Sequence, residues 1–275
     1  MPTYARPSAL DKALTLITAG GQRLLAGGTD VYPGAGRQLA GDVLDLTGIA
    51  ALRGISVGAG LRIGGCTTWT DIAEDKLPDG LAALQTAARA VGGRQVQNVG
   101  TIAGNLCNAS PAADGVPPLL VCDAVVELAS LRGVRHVPLP AFITGPRKTV
   151  LAADEVLVAV HVPDAGLTGQ SVFLKLGARA YLVISIAMVA VRLVRDGNRV
   201  GHIAVAVGAC SGVAQRLPLV ERALIGASLR DAAGLVRAAD VLASLAPIAD
   251  IRASADYRAE AATELVARAI AQVVG

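Results

Sequence analysis

The chain has 275 residues, 53% of them hydrophobic and 17% charged, with a formal charge of +3. That is enough apolar material for one large domain or two ordinary ones and excludes a disordered chain. The positive charge is mild and scattered and aromatics make up only 3%, which excludes a nucleic-acid binder needing a basic patch or stacking platforms.

In chain order, "MPTYARPSALDKAL" lacks the apolar core of a secretory signal, so a cytoplasmic protein is expected. "SALDKALTLITAGG" predicts a helix with a Ser8/Asp11 pair resembling a capping box, Leu10, Leu14 and Ile17 on one face, and a stop at Gly20-Gly21. Short strands are predicted at 23–26, 42–46, 54–58 and 61–65, and an apolar helix at 81–93 closed by two glycines. Residues 124–130 and 133–139 read as a hairpin around Arg132-Gly133, and 155–163 as a further strand.

Beyond a loop within 163–171 the texture changes. "SVFLKLG", "YLVISIAMVAVRLV" and "RVGHIAVAVGAC" are long β-type runs, the last two joined by an Asp-Gly-type hairpin signal at 195–199. The stretch 181–191 is too short for the ~20 residues that span a bilayer and reads as a buried strand. From about 215 the pattern is helical. Domains are therefore expected at 1–165 and 166–275, the second an α+β unit with helices on one face of a three-stranded antiparallel sheet.

Cys66, Cys107, Cys122 and Cys210 form no Cys-x-x-Cys pair, so neither zinc nor an iron–sulfur cluster is signalled, and they read as small buried apolar residues. His136, His161 and His202 have no partner at ligand spacing and read as structural. No catalytic residue and no metal ligand is assigned.

Two segments carry chemistry. "LLAGGTDVYP" (24–33) is a strand running into Gly27-Gly28, Thr29 and Asp30, where glycines let backbone N–H groups converge on an anion and the threonine adds a donor. "QNVGTIAGNLCNASPAAD" (97–114) offers Gly100, Thr101, Gly104, Asn105 and Ser110 as further donors, with Asp114 able to accept from a polyol hydroxyl. Taken locally, the first reads more readily as a plain turn, and a long structural turn stays open for the second. Neither fits a Rossmann or P-loop fingerprint.

Together, in this order and about seventy residues apart, the two segments resemble the FAD-binding medium subunit of molybdenum hydroxylases, the carbon-monoxide-dehydrogenase and xanthine-dehydrogenase family. The resemblance covers the whole chain. It implies an α+β fold with a vanillyl-alcohol-oxidase-type (PCMH-like) FAD-binding domain in two subdomains and a small C-terminal domain. It also implies an oxidoreductase subunit with FAD in this chain, and partners in a large molybdenum-cofactor subunit and a small iron–sulfur subunit, a heterotrimer expected to dimerise. Position by position it puts Leu24, Leu25, Ala26, Gly27, Gly28, Thr29, Asp30 and Val31 along the FAD pyrophosphate. Thr101, Ile102, Ala103, Gly104 and Asn105 form a second wrapping loop, with Ile102 against the flavin. Ser110 is counted with them, Asp114 is the ribityl-side acid, Leu157 an apolar flavin neighbour, and Lys175 of "FLKLGAR" approaches the isoalloxazine edge.

Lys175 is also unusual on its own, one of only four lysines beside 21 arginines, although a lysine in an apolar strand also snorkels at many surfaces. The chain departs from many relatives after Arg179, where "AYLVISIA" lacks an acidic residue, and it has no cysteine-bearing insertion. A stand-alone FAD oxidase or reductase would show a flavin-attachment residue or a catalytic base, and a flavin-free scaffold would not keep both Gly-rich segments.

Overall fold

A computed structural model describes residues 3–36 and 39–275. Its first unit is a small parallel sheet, Tyr4–Ala5, Asp42–Asp45 and Gln22–Leu25 in that order, with helix Leu10–Thr18 placing Ala13, Leu14 and Ile17 in the core beside it. The helix starts at Ala9 with no side-chain cap, so the Ser8/Asp11 pair does not form the expected box; burial of its apolar stripe is what holds it.

The second unit is a five-stranded antiparallel sheet in the order Ile55–Gly58, Gly60–Gly64, Val156–Val162, Val125–Ser130, Gly133–Pro138. The predicted hairpin closes by pairing Ser130 with Gly133, whose φ of 124° suits only glycine. Of residues 101–105, expected as a wrapping loop, Thr101 is the cap and 102–105 are the start of helix Ile102–Asn108. Thr101 caps it by accepting from Gly104 N–H at 3.1 Å, and Ala109 ends it in the left-handed region at φ 45°.

The third unit is the antiparallel sheet Gln170–Leu176, Ala187–Asp196, Arg199–Gly208, to which a two-residue strand, Gln215–Arg216, adds a fourth member. Both faces of this sheet are covered, which is why its strands read as unbroken apolar runs. Val189, Val191, Val205 and Val207 pack under helix Ala255–Val274, while Met188, Ala190, Ala204 and Ala206 join the core of the preceding units. Alanines on the second face let helices Ala82–Ala90 and Val116–Val121 approach closely. Buried Arg192 ties this sheet to the units before it, donating to Val121 O at 2.7 Å and Ala165 O at 3.0 Å.

The strand expected over 181–191 begins only at Ala187. Residues 178–184 form a loop turned by Leu182 at φ 52°, with the Arg179 guanidinium donating to Leu182 O. No helix among the described residues is long and apolar enough to cross a membrane.

Candidate functional site

Where the three units meet lies a cavity of about 650 Å³, a volume suited to a cofactor-sized ligand. All but three of the residues expected at the cofactor line it: Leu24, Ala26, Gly27, Gly28, Thr29, Asp30 and Val31 on one wall, Thr101, Ala103, Gly104, Asn105, Ser110 and Asp114 on another, and Leu157.

The two Gly-rich segments touch. A Cβ on Gly27 would stand 1.9 Å from Val99 O, so only glycine lets the first segment lie against the backbone of the second. Gly28 sits at φ 71°, in the left-handed region, where a Cβ would also meet the Tyr32 ring at 2.3 Å. Their backbone donors differ sharply. In the second segment the N–H groups of Ile102, Ala103, Gly104 and Asn105 donate to Thr67 O, Gly65 O, Thr101 Oγ1 and Thr101 O. In the first, the N–H groups of Gly27 to Val31 meet no acceptor among the described residues. The continuous run of free backbone donors therefore lies in the first segment, whereas residues 102–105 of the second spend theirs within the protein. Asn105 Oδ1 is buried there without a hydrogen-bond partner among the described residues, a costly state unless something in the cavity donates to it.

Asp114 is fixed from the third unit. Lys175 Nζ donates to its Oδ2 at 2.6 Å and Ser185 Oγ to its Oδ1 at 2.7 Å, with Lys175 also donating to Ala90 O at 3.1 Å. Burial pushes the Asp114 carboxyl up, and Lys175 and Ser185 pull it back.

Three expected residues lie elsewhere. Leu25 and Ile102 are buried in the core rather than in the cavity wall: Leu25 is 3% exposed and Ile102 is fully covered. Lys175 stands behind the wall, beside a second hollow lined by Arg89, Gly177, Arg179 and Tyr181, and reaches the main cavity only through Asp114. Sequence reasoning missed Trp69, Asn108, Arg147, Leu182, Val183 and Ile184, all in the wall. Arg147 is the one lysine or arginine among the described lining residues. It is held at φ 60° by its N–H bond to Ala109 O at 2.8 Å, and its guanidinium bonds Asn108 and lies 3.9 Å from Asp30. Only the chain's return through Gly145-Pro146 brings it here, so no local pattern marks it.

The histidines are not all isolated. His161 Nε2 lies 2.5 Å from Glu127 Oε2, and His136 joins them across the sheet. Cross-strand register makes this contact, and spacing along the chain does not reveal it.

Residues 1–165 match the family model for the FAD binding domain in molybdopterin dehydrogenase, and residues 173–273 match that for the CO dehydrogenase flavoprotein C-terminal domain. The chain is 34% identical over 280 residues to a xanthine dehydrogenase FAD-binding subunit of Escherichia coli O157:H7, covering 99% of this chain and 96% of that one. It is 30% identical over 275 residues to the nicotine 6-hydroxylase medium subunit of Paenarthrobacter nicotinovorans, covering 98% and 96%. Among solved structures, carbon monoxide dehydrogenase from Hydrogenophaga pseudoflava aligns with a TM-score of 0.90 at 28% identity, over 99% of this chain and 96% of that one.

Proposed function

The chain belongs to the family of FAD-binding subunits of molybdopterin dehydrogenases, and from that membership we propose that it is the FAD-carrying electron-transfer subunit of a multi-subunit molybdenum hydroxylase. The observation that carries the reading is the cavity's polar chemistry. A run of unpaired backbone N–H groups from Gly27 to Val31 suits a pyrophosphate, and the unpaired Asn105 Oδ1 suits a hydroxyl or amine donor. Thr29, Thr101 and Ser110 line the same cavity with hydroxyls to give. Asp114 keeps lone pairs beyond its two present bonds and accepts from a ribityl hydroxyl. Val91, Val96, Leu157, Leu182, Val183 and Ile184 supply the apolar surface that excludes water from a flavin ring.

Bound here, FAD would supply the exchange of single electrons with iron–sulfur clusters of a small partner and of electron pairs with an external acceptor. The organic substrate is hydroxylated at the molybdenum cofactor of a large partner, so this chain needs no acid or base of its own. We further read two domains, 1–165 and 166–275, the first of the PCMH-like type in two subdomains. The separate family matches support that division.

The test is purification of the chain with and without its two partners. One flavin per chain, released by acid or heat, is expected, with reduction by the organic substrate only in the full complex. A chain without flavin in the complex, or one that turns over the substrate alone, refutes the reading.

A further inference from the structure

The outer face of the five-stranded sheet carries a polar row that takes no part in the cavity lining. Glu127 in the central part of Val125–Ser130 is paired directly with His136 on the edge strand Gly133–Pro138. On the other side Ala159 pairs with Glu127, which puts His161 two residues on, on the same face, and His161 in turn pairs with Arg62. One ligand atom from each of Glu127, His136 and His161 lies within 4.8 Å of the other two. We propose that these three side chains form a binding site for a divalent transition ion, Zn²⁺ by the chemistry of its donors.

Two imidazoles and one carboxylate form a borderline donor set that suits zinc better than Ca²⁺ or Mg²⁺, which take oxygen ligands. The ring geometry agrees. With zinc–nitrogen bonds of ~2.0–2.1 Å, each ring centre stands about 3.2 Å from the metal, and a tetrahedral angle puts two centres about 5.2 Å apart. The rings of His136 and His161 are 5.3 Å apart at an interplanar angle of 64°. The carboxylate is closer than a metal requires, since His161 Nε2 and Glu127 Oε2 are 2.5 Å apart, against about 3.3 Å for two ligands of a tetrahedral zinc. A hydrogen fills that gap; zinc takes its place after a side-chain rotation that opens it by less than about 1 Å. His161 then coordinates in the tautomer with its hydrogen on Nδ1.

Arg62 Nε lies 3.5 Å from Glu127 Oε2 and is the one cation in the row. Its side chain is one-third exposed and can shift to the carboxylate's other oxygen, where it orients the ligand from outside. The three protein ligands leave the fourth position to water. Drawn from three neighbouring strands, they would fasten the edge strand to the two inside it.

The experiment is a zinc titration of the full chain with its flavin, stripped by a chelator, against a competing chromophoric chelator. One zinc per chain with Kd at or below micromolar is expected, with a higher Tm when zinc is saturating. His136→Asn, on an exposed edge position, should bind at least tenfold more weakly with flavin content and circular dichroism unchanged, and His161→Asn likewise. X-ray absorption of the loaded protein should show nitrogen and oxygen neighbours including two imidazoles. No stoichiometric site, parental affinity in both histidine variants, or sulfur at the metal overturns the proposal. The site is independent of the flavin reading, because flavin content is measured in the same samples.

Discussion

Lys175→Met removes one member of a buried ion pair while keeping the bulk of its stem. Nζ and Oδ2 of Asp114 are 2.6 Å apart, and the two side chains are only 13% and 9% exposed. At an effective dielectric of ~20 that separation gives about 6 kcal/mol of gross attraction, most of it spent on desolvating both groups. The variant, however, leaves a buried carboxylate with Ser185 as its remaining side-chain donor, and breaking a buried pair from one side costs about 3–5 kcal/mol. Protonation limits the loss. Burial already pushes Asp114 up against the pull of Lys175, so without the ammonium it rises further and carries a proton the unfolded chain has released. Stability of the variant must then fall as pH rises from the unfolded value through the raised folded one. Urea unfolding from pH 5 to 8 measures this, with Lys175→Met/Asp114→Asn as the second arm, which should recover at least half of the loss. Parental stability of Lys175→Met across that range, or a double variant no more stable than the single, refutes the reasoning. The flavin potential is a further readout. An isolated ammonium would shift it by tens of millivolts, but a neutral pair replaced by a neutral acid leaves the local charge unchanged. A shift under about 30 mV, equivalent to about 1.4 kcal/mol for two electrons, is expected.

Gly27→Ala sets a Cβ 1.9 Å from Val99 O, so the two Gly-rich segments must part by roughly 1 Å or more to restore contact distance; absorption should show flavin per chain falling, while Gly58→Ala, which meets nothing within 4 Å, keeps it. Burial pushes the thiols of Cys66 and Cys210 up to about 11 and that of Cys122 up to about 12, so these three should resist a thiol reagent at neutral pH and label only in denaturant, whereas Cys107, expected to be buried, is half-buried in the cavity wall; a second fast native thiol contradicts this. The Arg252 N–H, followed by the Arg258 and Arg252 side chains, holds Asp250 down to about 2 from 3.8. That stabilisation is present above the unfolded value and lost as pH falls through the folded one, so the Tm deficit of Asp250→Asn should shrink between about pH 4 and 2, and a constant deficit argues against the pairing.

What the sequence made legible was what depends on neighbours along the chain. Gly28 sits in a left-handed backbone that glycine favours by itself, and helix Ala255–Val274 has its Ser254 cap and an apolar stripe, so both could be read locally. The run 181–191 could not, because hydrophobicity reports that a surface is destined for cover without naming the cover. Its second half packs in the sheet, and Leu182, Val183 and Ile184 line the cavity instead. Likewise nothing near Arg147 or Glu127 in the chain predicts their neighbours, since a return of the chain and a cross-strand register bring those together. The donors of residues 102–105 were misjudged for a related reason: a helix N-terminus looks like a loop of free N–H groups until the carbonyls of Gly65 and Thr67 are placed against it.

Helix Ala255–Val274 covers a sheet that is made before it. About sixty residues separate Arg216, where the last strand ends, from Val274, which at ~5–20 residues per second is about 3–12 seconds of synthesis. Through that interval Val189, Val191, Val205 and Val207 form a β-rich apolar surface without its main cover, although collapse and hairpin formation take only microseconds. The nascent chain is therefore most exposed to aggregation late, after its cavity-lining segments are already complete. A ribosome stalled between residues 216 and 255 should hold a product that depends on a chaperone to stay in solution, and the twenty residues that follow end that dependence.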